Sequence, residues 1–149
     1  MLENVGLLGA LGIGGSFGLS AIGAALAMAA NGPAVIGSWK KCYLQNKPAP
    51  FILAVFAGTS LSNVIYGFIV MGALAANEAG ISEAALFALG MGSGICIGAV
   101  AITQAMCSAA AADAYAETGK GFGNFLMVIG IAETVSLFAM VFTLLYVNN

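Results

Sequence analysis

Glu133 stands near the middle of an apolar run, Phe125 to Val147, between Ala132 and Thr134. A carboxylate at that depth of a bilayer costs roughly 2.5–3.5 kcal/mol to insert, so its presence marks a functional position. Its prospective company is rich in oxygen. Thr59, Ser62, Asn63 and Tyr66 recur at spacings of three and four, which puts them on one face of a helix. Gln104 lies nine residues in from Asp113. Glu133 lies about a dozen residues in from the same side, so at ~1.5 Å per residue the two share a depth to within a turn. One carboxylate, two amides and three hydroxyls are the ligands for which a hard cation exchanges its hydration shell. Thr134 and Ser136, beside the carboxylate, are expected only to hydrogen-bond between helices. A soft metal has little to bind: the chain has no histidine, and its three cysteines lack CxxC spacing. Cys96 and Cys107, inside an apolar run, read as small packing residues, and Cys42 lies beside a lysine pair.

The elements that must hold these groups are membrane helices. Of 149 residues, 61% are hydrophobic and 7% charged, with a mean hydropathy of +1.03, too few polar groups to cover a water-soluble globule. A span needs about 20 mainly apolar residues. Four segments qualify, at 5–36, 51–76, 84–112 and 122–147. Their long unbroken runs have no period-two alternation, which excludes a β-barrel. The start, Met1-Leu2-Glu3-Asn4, lacks a basic leader, so the first run reads as a retained span. Six acids against four lysines leave no basic surface for nucleic acid. Lys40, Lys41 and Lys47 fall in the first connection and Lys120 in the third, whereas the middle one holds only acids. The positive-inside rule therefore puts connections one and three in the cytoplasm and both termini opposite. Trp39 and Tyr43 fit an interfacial aromatic belt. Pro48 and Pro50 are expected to end one helix and start the next.

The chain also repeats itself. An offset of 78 positions lays Ala10-Leu11-Gly12-Ile13-Gly14 over Ala88-Leu89-Gly90-Met91-Gly92, and past the longer first connection an offset of 70 lays Asn63 over Glu133. The organisation is thus two duplicated helical hairpins in parallel orientation, 1–76 and 84–149. The first and third helices each carry small residues at every fourth position: Gly12, Ser16 and Ser20 in one, Gly90, Gly94 and Gly98 in the other. Such rows let backbones approach closely.

Two hairpins, glycine-rich odd helices, basic connections and a lone glutamate in Ala132-Glu133-Thr134 together resemble the rotor-ring proteolipid, known as the K or c polypeptide, of bacterial and archaeal V-type ATPases. The resemblance implies an all-α membrane protein that assembles into a multi-subunit ring, odd helices inside and even helices outside. It implies a bacterial or archaeal plasma membrane, a stator subunit that supplies the arginine this chain lacks, and a central stalk meeting the cytoplasmic lysines. It also implies a translocating part and not an enzyme, in keeping with the absence of any GxxxxGK[ST] loop. No cofactor is expected beyond the transported ion, one per chain.

Sodium-type members pair the glutamate with a glutamine in the third helix and a Thr-Gln pair plus a tyrosine in the second. Gln104 and Tyr66 match, whereas Ser62-Asn63 stands where the family has Thr-Gln. Asparagine is one methylene shorter. By this analogy Na+, favoured over H+, would be held by Glu133, Gln104, Asn63, Ser62 and the Thr59 region, and the choice between the two ions stays open. Two rival readings are a small multidrug transporter, which places its glutamate in the first helix, and a structural or channel-forming proteolipid.

Overall fold

A computed structural model describes residues 6–77 and 80–148. The start of the first span at Val5, and Glu78 in the middle connection, lie outside the described residues. Among the described residues five helices follow one another: α1 (Leu7–Leu44), α2 (Leu53–Gly58), α3 (Leu61–Ala76), α4 (Glu83–Thr118) and α5 (Phe122–Val147). With α2 and α3 counted as one segment, four are long and apolar enough to cross a membrane, and the described residues contain no strand.

Three boundaries differ from the sequence expectation. First, α1 does not stop at Ile36 but runs through Pro33 to Leu44, so Trp39, Lys40 and Lys41 are helical. Proline removes one amide bond there, while the buried face of Val35, Ser38 and Cys42 gains enough packing to continue the helix. Second, α4 continues past Ala112 to Thr118. At ~1.5 Å per residue, helices of 38 and 36 residues exceed the ~30 Å hydrocarbon layer, so their ends project beyond it. Third, the span 51–76 is interrupted between Gly58 and Leu61.

Asn31 accounts for that interruption. Fully buried on α1, it donates from Nδ2 to the carbonyls of Phe56 at 3.0 Å and Ala57 at 3.2 Å. In a continuous helix those carbonyls would take the amides of Ser60 and Leu61. Ser60 Oγ meanwhile donates to the Ala101 carbonyl of α4 at 3.1 Å. Irregular backbone at membrane depth survives only where such partners replace the missing bonds.

The helices form two layers. In one, α1 and α4 run parallel along the longest contact in the chain; in the other, α2–α3 and α5 pack over them. The small-residue rows make the first seam. A Cβ at Gly90 would collide with the Gly12 carbonyl, one at Gly23 with Gly98, and one at Gly98 would come within 2.7 Å of the Leu19 carbonyl. Gly94 meets Gly15 and Ser16. Ser16 and Ser20 turn their hydroxyls back to the Ile13 and Ser16 carbonyls, and a Cβ at Gly67 of α3 would strike Ser20. The rows are therefore used inside one chain. By contrast, only 11% of the most apolar window of α5 is buried, so most of that helix is bare on its outer side.

The seam is tied between helices at one end, and at the other α4 carries its own cap. Ser82 caps α4, accepting from the Ala85 amide at 3.3 Å. At the other end Lys41 pairs with Asp113 at 3.3 Å and with Glu117, so among the described residues this lysine is engaged within the chain. Trp39 Nε1 donates to the Pro50 carbonyl at 2.9 Å, holding the first connection. Phe56, Tyr115 and Phe122 stack edge to face beside it, with Phe56 and Phe122 5.5 Å apart. Gly119 and Gly121 take φ of +63° and +86° in the turn from α4 to α5, a conformation that side chains resist. All three cysteines are free, and the fully packed one is Cys42, because α1 continues past Ile36 and lays it on Ala116; Cys96 and Cys107 are half-buried.

Candidate functional site

The interruption between α2 and α3 sets the depth and direction of the groups that follow it. α3 starts at Leu61, and from its first turns Asn63 points inward, fully buried, while Tyr66 sits at the layer edge. Gln104 arrives from α4, also fully buried, and Glu133 from α5, half-buried.

These side chains then join in a line. Tyr66 Oη donates to Glu133 Oε1 at 2.7 Å, and Gln104 Nε2 donates to Glu133 Oε2 at 3.4 Å. Asn63 Nδ2 donates to Gln104 Oε1 at 2.8 Å and leans on the Ser60 carbonyl at 3.4 Å. Ser136 Oγ, one turn past Glu133 on α5, donates to Asn63 Oδ1 at 2.5 Å. The carboxylate thus receives one donor from each of two neighbouring helices. Both contacts offer a hydrogen to an oxygen that can only accept when bare, offsetting part of the cost of burying it.

Of the six residues read from the sequence, the geometry gathers Glu133, Gln104, Asn63 and Tyr66. Ser62 donates to the Thr59 carbonyl at 3.4 Å, one turn before Tyr66 on α3. The Thr59 hydroxyl points elsewhere: it meets Ser108 Oγ at 2.7 Å and the Phe56 carbonyl at 3.2 Å, where the helix is interrupted. Ser108 in turn donates to the Gln104 carbonyl at 2.9 Å, so the Thr59 hydroxyl reaches the site only through the backbone of α4, while its carbonyl accepts from Ser62. The expectation of three converging hydroxyls is corrected for Thr59: Tyr66 converges directly, the Ser62 hydroxyl stands within hydrogen-bond reach of Tyr66, and a further hydroxyl of the group belongs to Ser136. Thr134, exposed, bonds its own helix at the Ile131 carbonyl at 2.7 Å and makes no interhelical contact there.

Ser136, Asn31, Ser60 and Ser108 carry no weight in a reading of the sequence for cation ligands. Ser136 is legible in part, since it lies three residues from Glu133 and so on the same helix face. Asn31 is visible as a lone amide in an apolar run. Among the described residues no group of three or more Cys, Asp or Glu is placed to hold a metal ion, which leaves mixed oxygen ligands around a single carboxylate.

Residues 87–146 match the family model that describes the C subunit of ATP synthase. The match supports a place for this chain in the c-type proteolipid family. These proteolipids are non-catalytic membrane subunits of rotary ATPases, assemble into homo-oligomeric rings and translocate ions. The matched stretch holds most of α4 and α5, and with them Gln104 and Glu133; Asn63 and Tyr66 lie in the hairpin before it. Comparison with curated proteins finds no significant match.

Proposed function

We propose that this proteolipid is the rotor-ring subunit of a V-type ATPase, carrying one Na+ or H+ per chain on Glu133. The observation that carries the reading is the single carboxylate on the bare outer layer, held at one depth by Tyr66 of α3 and Gln104 of α4. Loaded, Glu133 is formally neutral and tolerates lipid; unloaded, it needs a polar or charged partner. The two donors lower the cost of the unloaded state while the ion leaves. An arginine at the exit comes from a stator subunit, since the chain has none of its own.

Na+ remains the favoured cargo on the likeness of Gln104 and Tyr66 to sodium-type sites. Its binding requires Gln104 Oε1, which now accepts from Asn63, to turn toward the carboxylate. Asn63 occupies in the first hairpin the place of Glu133 in the second, giving one ionisable group per two hairpins. Fewer ions then cross per turn than in a ring of single hairpins with the same number of helices, a gearing suited to pumping; a measured ring giving a high ion-to-ATP ratio would remove it. Lys40, Lys47 and Lys120 would meet the central stalk on the cytoplasmic side of a bacterial or archaeal plasma membrane.

Glu133→Gln tests the reading. Rings of normal size that bind the rest of the complex but move no ion are the expected outcome. Failure to assemble would make Glu133 a structural residue, and a substrate-driven proton flux from the purified wild-type chain alone would instead favour a transporter.

A further inference from the structure

Resting on the cation-carrier reading, we infer that Ser136 and Asn63 form a reversible hydrogen-bond relay that sets which face of the Gln104 amide Glu133 meets. The hydrogen bonds run in one direction from end to end: Ser136 hydroxyl to Asn63 Oδ1, Asn63 Nδ2 to Gln104 Oε1, Gln104 Nε2 to Glu133 Oε2. Every donor points toward the carboxylate. That polarity suits a bare carboxylate, which accepts and cannot donate. It does not suit a loaded one. A protonated Glu133 must donate its O–H, and a bound cation must be met by oxygen; both call for Gln104 Oε1 where Nε2 now lies.

Turning Gln104 alone would set its Nε2 against Asn63 Nδ2, donor against donor in a fully buried place. The two amides therefore turn together, and Asn63 then presents Nδ2 to Ser136. A serine hydroxyl serves both arrangements because it donates in one and accepts in the other, its hydrogen turning to a carbonyl of its own helix. An aliphatic or donor-only side chain at this position would not. The Ser60 carbonyl, beside Asn63 Nδ2 at 3.4 Å, biases the resting direction toward the bare form. Tyr66 donates to the other carboxylate oxygen throughout; it is the titratable neighbour of Glu133, since Lys41, Asp113 and Glu117 lie at the far ends of α1 and α4. Ser136 is a positioning residue: it touches neither the carboxylate nor the ion, and acts through two amides.

Removing the hydroxyl leaves an orphan carbonyl oxygen in the bare form but an orphan N–H pair in the loaded form, and the second is the less tolerated. Ser136→Ala should therefore weaken cation holding about fivefold, roughly the worth of one hydrogen bond. The protein used is the detergent-purified ring, and the probe is carbodiimide reaction at Glu133 titrated with NaCl and with pH. The midpoint in Ser136→Ala should move to higher NaCl or lower pH, and Ser136→Thr should restore it. An unchanged midpoint in Ser136→Ala, or a shift that Ser136→Thr fails to reverse, overturns the relay. Wild-type rings provide a test that needs no variant. In infrared difference spectra with 13C-labelled side-chain amides, the Asn63 and Gln104 bands should move together as Glu133 loads. Loading with stationary amide bands would refute the relay and leave the carrier reading intact, whereas a Glu133 that responds to neither Na+ nor pH would refute both.

Discussion

The seam between α1 and α4 separates two glycines that stand less than a turn apart. Gly90 and Gly92 share a helix and a composition, but only one faces the partner backbone. A Cβ at Gly90 lands on the Gly12 carbonyl carbon and oxygen and sits 3.0 Å from Gly12 Cα, all backbone atoms that cannot rotate away. At Gly92 nothing lies within 4 Å of a Cβ. Gly90→Ala must push α1 and α4 apart, and the opening spreads to Gly94, where a Cβ would stand 2.5 Å from the Gly15 carbonyl oxygen. A radial gap of ~0.5–1 Å forfeits a quarter to a half of each dispersion well along the seam. Overpacking costs about 1–3 kcal/mol, and with the lost dispersion added the upper part of that range is expected. Gly92→Ala should instead gain about 0.5–1 kcal/mol from the lower backbone freedom of alanine. Thermal denaturation of the two variants in one detergent, followed by retention of the oligomer on size exclusion, measures the contrast. Equal behaviour of the two variants would refute the packing argument, as would a Gly90→Ala variant more stable than the parent.

Asn31→Leu should destabilise by about 1–3 kcal/mol, because the Ala57 carbonyl loses its side-chain donor and the Phe56 carbonyl keeps only Thr59, and faster amide hydrogen exchange in 56–62 would report it. Tyr66→Phe should retain the fold and remove one of the two donors that hold the Glu133 side chain, so protecting Glu133 from carbodiimide should need more Na+ than in the parent. Lys41→Gln should leave assembly unchanged in high salt, since its partners are exposed acids, and any loss of stability should emerge only at low ionic strength.

Much of the architecture is legible in the sequence because membrane helices announce themselves by length and apolarity, and Glu133 by its cost. Depth arithmetic along straight helices is enough to bring Gln104 to Glu133. It is not enough for Thr59, because straight-helix spacing assumes one unbroken helix and this one is interrupted between Gly58 and Leu61. That departure depends on Asn31, 25 residues before Phe56 and on another helix, a tertiary bond with no local signature. The ends of α1 and α4 extend past the sequence expectation for a related reason: polarity marks where the hydrocarbon stops, not where the helix does. Ser136 makes the interhelical hydrogen bond expected of it, but its partner Asn63 is not legible, because spacing along one helix does not say which neighbour a hydroxyl meets.

On the carrier reading Glu133 alternates between a bare and a cation-loaded state, which carbodiimide labelling of Glu133 in the assembled ring, across pH and with and without sodium, tests without any variant. The expected result is labelling that responds to the carried cation, falling as Na+ occupies the carboxylate or rising as a proton does. Protection by sodium at alkaline pH would identify Na+ as the cargo, whereas a pH-dependent reaction that sodium leaves unchanged would identify H+. Labelling that proceeds regardless of sodium and proton concentration, or a Glu133 that never reacts, would contradict it.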